Sequence, residues 1–199
     1  GIPDDLEQAV EIIAAGNVRE VDTAEVNGHL FLNDASVGLY PEITRYRESR
    51  IDKFGRRRVV SGMLALWGLM KFFRLYRMNV KLDDENLRVN TPFLVVGNNP
   101  YRLDIMNFGK RTSISGGKLC VYILKTSTRF SVIRISVLAL MGKIQLDPGY
   151  AAIETEQAEV DLKLKKIDVV IDGELFNLKT PLKYKIHQKA LKVYTPQGE

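Results

Sequence analysis

A mainly β fold with helical additions, an antiparallel β-sandwich in the α+β class, is what this sequence predicts. Three observations carry that expectation. The C-terminal third is a succession of short β-rich runs, AAIETEQAEVDLKL, KIDVVIDGELFNL, LKYKI and ALKVYT, with turn residues at the spacing of a sandwich or barrel. The dipeptides Asn27-Gly28 and Asp172-Gly173 each lie between two such runs, the pattern of a two-residue hairpin turn. Helical patterns are few and lie outside the strand runs, so the helices are attached to the sheets rather than alternating with them.

In chain order, GIPDDLEQAVEIIAAG reads as a helix. Pro3 and Asp4 stand at its start, Leu6, Val10 and Ile13 share one face, and Gly16 ends it. NVREVDTAEVNGHLFLNDASVGL follows as the first hairpin. The charged stretch PEITRYRESRIDKFG suits helix or loop. RRRVVSGMLALWGLMKFFRLYR then reads as a helix through Arg77, with Val60, Leu64, Trp67 and Phe72 among its apolar positions. Together these make a helical insertion over residues 41–77. MNVKLDDENLRVNTPFLVVGNN returns to strand with a polar turn at Asp83 to Asn86, and SISGGKLCVYIL adds another strand after a bend at Gly116-Gly117. In TRFSVIRISVLALMG the β-branched residues favour strand, but length and spacing favour helix, and helix is expected. A single lead-in helix followed at once by a hairpin suggests a domain boundary: residues 1–16 as the last helix of a preceding domain, 17–199 as the sandwich.

Composition narrows the chemistry. The 199 residues are 45% hydrophobic and 27% charged, enough for one good core. A single cysteine, Cys120, excludes an internal disulfide and fits the cytoplasm. No segment reads as a signal peptide, and the longest apolar run, GMLALWGLM, is nine residues, too short to span a bilayer. With only His29 and His187 beside that cysteine, a structural zinc site is not expected, and Cys120 in its apolar strand reads as core. There is no phosphate-binding loop with a lysine and no dinucleotide fingerprint. The net charge of +5 suits an anionic partner. Nucleic acid is not expected, because Phe93, Tyr122, Phe176, Tyr184 and Tyr194 are scattered rather than paired as a stacking platform. The basic-flanked helix is better suited to an anionic membrane surface, with Arg56, Arg57 and Arg58 before its apolar face and Lys71, Arg74 and Arg77 after it.

The opening GIPDDLEQAVEIIAAG, the hairpin VREVDTAEVNGHLFLNDASVGL and the ending IDVVIDGELFNLKTPLKYKIHQKALKVYTP, taken in order, resemble the bacterial diacylglycerol kinase-like lipid kinases. That group includes diacylglycerol and phosphatidylglycerol kinase-like proteins, with sphingosine and ceramide kinases as relatives. The resemblance runs from end to end of the chain. It implies the C-terminal sandwich domain of a two-domain kinase, with ATP held by a Gly-Gly-Asp-Gly-Thr loop of an N-terminal domain. No such loop occurs in these residues, so the fragment alone is expected to be inactive and to bind no cofactor, whereas the full-length protein would use ATP and Mg²⁺.

The resemblance also implies a role for Asp172-Gly173-Glu174. Its acids would sit in the interdomain cleft, Glu174 as the base toward a lipid hydroxyl and Asp172 as its helper or as turn former. A positioned base is worth roughly 10²–10⁴-fold in rate, with much of the remainder supplied by positioning and Mg²⁺. Asn33 and Gly38 match usual positions of the family and are expected as a cleft-facing amide and a backbone bend. One departure stands out. Where relatives carry an acid that can bind a structural divalent cation, this chain has Gly116, with Lys118 beyond it, so no metal is expected there. The expected partners are a lipid alcohol and the inner membrane face, with an exposed sheet edge that would favour a homodimer. The alternative is a non-catalytic β-sandwich module that binds lipid or membrane.

Overall fold

The computed structural model describes residues 2–39, 41, 42, 44, 71, 73–83, 85–101, 113–125 and 128–196. Helix α1 (Leu6–Ala15) begins one residue later than its Pro-Asp start suggests. Asp5 is the N-cap and accepts from the Gln8 N–H at 3.0 Å, and Gly16 closes the helix in the left-handed region. Its stripe of Leu6, Val10 and Ile13 is exposed.

The strands are β1 (Val18–Val26), β2 (His29–Phe31), β3 (Asp34–Gly38), β4 (Tyr76–Lys81), β5 (Asn86–Thr91), β6 (Phe93–Asn98), β7 (Leu119–Leu124), β8 (Tyr150–Thr155), β9 (Gln157–Asp161), β10 (Lys166–Ile171), β11 (Glu174–Lys179) and β12 (Leu182–Tyr194). They form two six-stranded antiparallel sheets, β2-β1-β12-β9-β4-β5 and β11-β10-β3-β6-β7-β8. Alternating residues face inward from both sheets: Ala24 and Val26, Ala35 and Val37, Met78 and Val80, Leu94 and Val96, Leu182 and Tyr184 are all in the core between them. The ambiguous segment is helical, as its length indicated: α2 (Arg129–Leu140) places Val132 and Ile135 with Leu124 in a second, smaller core on the outer face of the β3/β6/β7 sheet, against Phe93 and Ile144.

Three elements differ from the sequence-based expectation. The run HLFLNDASVGL is not one strand: β2 pairs with β1 in the first sheet, and β3 pairs with β6 and β10 in the second, so the chain changes sheets at Leu32-Asn33. LKYKI and ALKVYT are not two strands but one of 13 residues, because a bulge absorbs the polar HQK between them. The basic apolar segment does not stay helical through Arg77, since Tyr76 and Arg77 open β4, where alternation buries Met78 and Val80 against the core. Val60, Leu64, Trp67, Phe72 and the arginines Arg56, Arg57 and Arg58 lie outside the described residues. Of the remaining basic positions, Lys71 is exposed, Arg74 lies over the Tyr76 ring at 5.4 Å, and Arg77 is an exposed residue of β4. Among the described residues no helix is long and apolar enough to cross a membrane.

Candidate active site

Both Asx-Gly pairs form the expected turns. Asn27 and Gly28 have φ of 48° and 88°, and Asp172 and Gly173 have 47° and 92°, which is the pair of positive values that a type I′ hairpin requires. The second turn does more than reverse the chain. The Asp172 carboxylate accepts from the N–H groups of Leu32 (2.7 Å), Asn33 (2.7 Å) and Asp34 (3.1 Å), and its own N–H donates to the Asp34 carbonyl at 2.9 Å. These are the residues of the sheet change, where the ladder cannot supply partners. Asp172 supplies them with one anionic side chain.

The carbonyls of the same loop are held from the other side. Asn98 donates its N–H to the Asn33 carbonyl at 2.9 Å and its amide Nδ2 to the Leu32 carbonyl at 3.1 Å, and the Tyr101 hydroxyl donates to the Asn33 carbonyl at 2.8 Å. Residues 32–34 are therefore a fixed platform. Gly38, at the far end of β3, is the bend it was expected to be: its φ is +103°, and a Cβ there would lie 2.4 Å from the Pro92 carbonyl oxygen.

Glu174 stands differently from its neighbour. It is exposed, and its carboxylate makes no hydrogen bond or ion pair among the described residues. Its cross-strand partner is Ile171, a core residue, so alternation places Glu174 at the open rim between the sheets, on the side where Phe176 meets the His29 ring at 4.9 Å. Asp34 points the other way. It lines an apolar cleft of about 330 Å³ on the outer face of the second sheet, with Phe93, Val95, Tyr101, Tyr122, Leu124, Ile135, Ile144 and Tyr150. Burial raises the phenol pKa values of Tyr122 and Tyr150, so both hydroxyls stay neutral at physiological pH, which leaves Asp34 as the carboxylate of an otherwise apolar and phenolic lining. Asp34 and this cleft were not foreseen, because the positions that line it come from strands and a helix far apart in sequence.

At Gly116, where no metal is expected, the loop is held by hydrogen bonds. The Gly116 N–H donates to the Asn99 amide oxygen at 3.0 Å, and a Cβ at this position would lie 2.8 Å from that oxygen. The next N–H, of Gly117, donates to Asp22 at 2.7 Å, and the Lys118 ammonium is paired with Glu156 at 2.8 Å. The two N–H groups thus engage the oxygens of Asn99 and Asp22, and the Lys118 charge is met by Glu156. Among the described residues no group of three or more His, Cys, Asp or Glu is arranged to hold a metal. Cys120 is buried and its thiol is pushed up to about 11 by that burial, which leaves it protonated and inert as a nucleophile at neutral pH.

No family model matches the chain. Solved structures do match. Over 98% of its length the chain superposes on a protein of Bacillus anthracis str. Sterne named "putative diacylglycerol kinase", with 20% identity, a TM-score of 0.69 and 64% of that protein covered. A second protein so named from the same organism gives 16% identity, a TM-score of 0.68 and 64% coverage. A diacylglycerol kinase from that organism gives 15%, 0.62 and 61%. The fold is that of the C-terminal β domain of diacylglycerol kinase-like proteins. This chain spans less than two thirds of each of these proteins. Within the diacylglycerol kinase-like fold, the turn carrying Asp172 and Glu174 meets the platform of residues 32–34 at one end of the sandwich, and Asp34 of that platform also lines the cleft on the outer face.

Proposed function

We propose that this chain is the lipid-binding, carboxylate-bearing domain of an ATP-dependent kinase that phosphorylates the hydroxyl of diacylglycerol or a related lipid. The observation that carries the reading is the free, exposed carboxylate of Glu174 on a turn locked by Asp172, in a fold shared with diacylglycerol kinases. In this reading Glu174 accepts the proton of the lipid hydroxyl as that oxygen attacks the γ-phosphorus of Mg·ATP, and Asp172 shapes the turn, since three N–H donors already engage its oxygens. The cleft has the volume and the mostly apolar lining suited to an acyl chain, with Asp34 as its one carboxylate among the described residues. Exposed Leu30 and Leu32 flank the same loop and would face the lipid. ATP would be held by an N-terminal domain, so residues 1–199 alone would transfer no phosphate. The protein would work at the inner face of the membrane, with Arg56, Arg57, Arg58, Lys71, Arg74 and Arg77 supplying the attraction to anionic lipid.

The test is Glu174→Gln in the full-length protein. We expect phosphate transfer to diacylglycerol in mixed micelles to fall by roughly 10²–10⁴-fold, with the melting temperature unchanged. An unmodified protein that binds anionic vesicles but transfers no phosphate to any lipid alcohol would instead mark a non-catalytic membrane-binding module.

A further inference from the structure

A buried polar cluster lies behind the candidate site, and none of the chemistry above uses it. Asp22, Asn98 and Asn99 are 2%, 0% and 0% exposed. Asp22 is the residue of β1 at which the pairing with β12 slips: Val21 pairs with Leu191 and Thr23 with His187, leaving Gln188, Lys189 and Ala190 opposite a single residue. Beyond this bulge β1 and β12 continue as a two-stranded ribbon to the Val18–Tyr194 pair and α1.

Among the described residues the Asp22 carboxylate is held without any cation. It accepts from the Lys189 N–H at 2.8 Å, the Gly117 N–H at 2.7 Å and the Asn99 amide at 3.1 Å. Lys189 is itself at φ +52°, so the bulge is kept in an unusual conformation by the bond that its N–H makes. The Asp22 carbonyl, in turn, accepts one hydrogen of the Asn98 amide at 2.9 Å, while the other hydrogen goes to Leu32. The Asn98 amide oxygen accepts from Asn99 at 3.2 Å. Both amide hydrogens and the amide oxygen of Asn98 are therefore engaged, and its two donor bonds join the bulge to the loop.

We infer that Asp22 and Asn98 are positioning residues, which fix residues 32–34 and the turn they cradle relative to the ribbon that leads to α1. The base of the ribbon and the candidate active loop then move as one body. A change in the angle of the ribbon reaches the Asp172–Glu174 turn through two side-chain amide bonds rather than through the length of a sheet. The catalytic part of this inference rests on the kinase reading; the structural coupling does not.

Amide hydrogen exchange on the chain, followed by NMR, separates the two. In Asn98→Ala the amides of Leu32, Asn33 and Asp34 should exchange about tenfold faster or more, with those of Leu94 and Val121 unchanged. In Asp22→Asn the Gly117 and Lys189 amides lose their anionic acceptor and should speed up, and the three loop amides should speed up with them. Loop amides that keep their original rates in Asp22→Asn would reduce Asp22 to a local clamp and overturn the coupling. Should either variant not fold, exchange of the unmodified chain at rising urea decides the point. Gly117, Lys189 and the loop amides should open with one common dependence on denaturant, and separate dependences overturn it. In the full-length protein Asn98→Ala should lower kcat by about tenfold to 100-fold with KM for ATP unchanged. A full effect on exchange with no effect on kcat removes the catalytic role. An unmodified protein without phosphate transfer defeats the kinase reading alone, since the exchange results still judge the coupling.

Discussion

Asp172 and Glu174 are separated by one glycine, and the structure gives them opposite tasks. The first is saturated by backbone donors 138 to 140 residues away in sequence. The second points into open space at the rim. Removing the Asp172 carboxylate leaves three N–H groups of an irregular loop without their acceptor, so Asp172→Ala should cost about 1–2 kcal/mol in urea unfolding, whereas Glu174→Gln should cost close to nothing. If the two variants unfold at the same urea concentration, the division of labour between them is wrong. The tripeptide alone announces the turn, through the positive-φ tolerance of Asp and Gly. It cannot announce which acid is occupied, because the donors come from another part of the chain.

At the scale of elements, what was legible is what depends on neighbours in sequence: the two I′ turns, α1 with its Gly16 stop, the strand alternation of the C-terminal third and the helical character of α2. The misplacements share a cause. The β2–β3 break lies within a continuous β-rich run and exists because Asp172 and Asn98 offer partners there. The joining of LKYKI with ALKVYT depends on Asp22 clamping Lys189. The start of β4 at Tyr76 depends on a partner strand, β5, pairing Tyr76 with Thr91. Long-range partners override local pattern in each case. The same logic makes Gly38 a sharp test of the β3 geometry. Its φ of +103° and the 2.4 Å approach to the Pro92 carbonyl leave no room for a methyl group, so Gly38→Ala should cost about 3 kcal/mol, read as a lower urea midpoint. Gly28→Ala meets no atom within 4 Å and should cost less, the strain of its φ only.

For the molecule as a whole, several buried acids set its response to alkali. Burial pushes Cys120 from its usual 9.0 to about 11. Burial, and then the hydrogen bond to Glu42, raise Tyr76 from 10.0 to about 12. Tyr122, Tyr150 and Tyr184 are raised by burial as well. In each case the unfolded chain releases its proton first. The associated stability is therefore complete below the unfolded value and declines as pH rises toward the folded one. The urea midpoint should fall from about pH 9 upward, and Cys120→Ala should flatten the part between 9.0 and about 11. A midpoint that stays level across that range would show that these groups are not buried as described.

The β1–β12 pairing also has a mechanical meaning. Both strands leave the sandwich at the same end, with Val18 opposite Tyr194 and the Thr195 N–H donating to the Asn17 carbonyl at 3.0 Å. A force drawing those two ends apart would load the ladder one rung at a time, as a zipper, rather than shearing all of its rungs together. The rungs would yield singly as far as Leu191, and the advance would halt at the Asp22 carboxylate, where several bonds must give way at once. The bulge would then act as a rip-stop, ending the fraying of the ribbon at the edge of the sandwich.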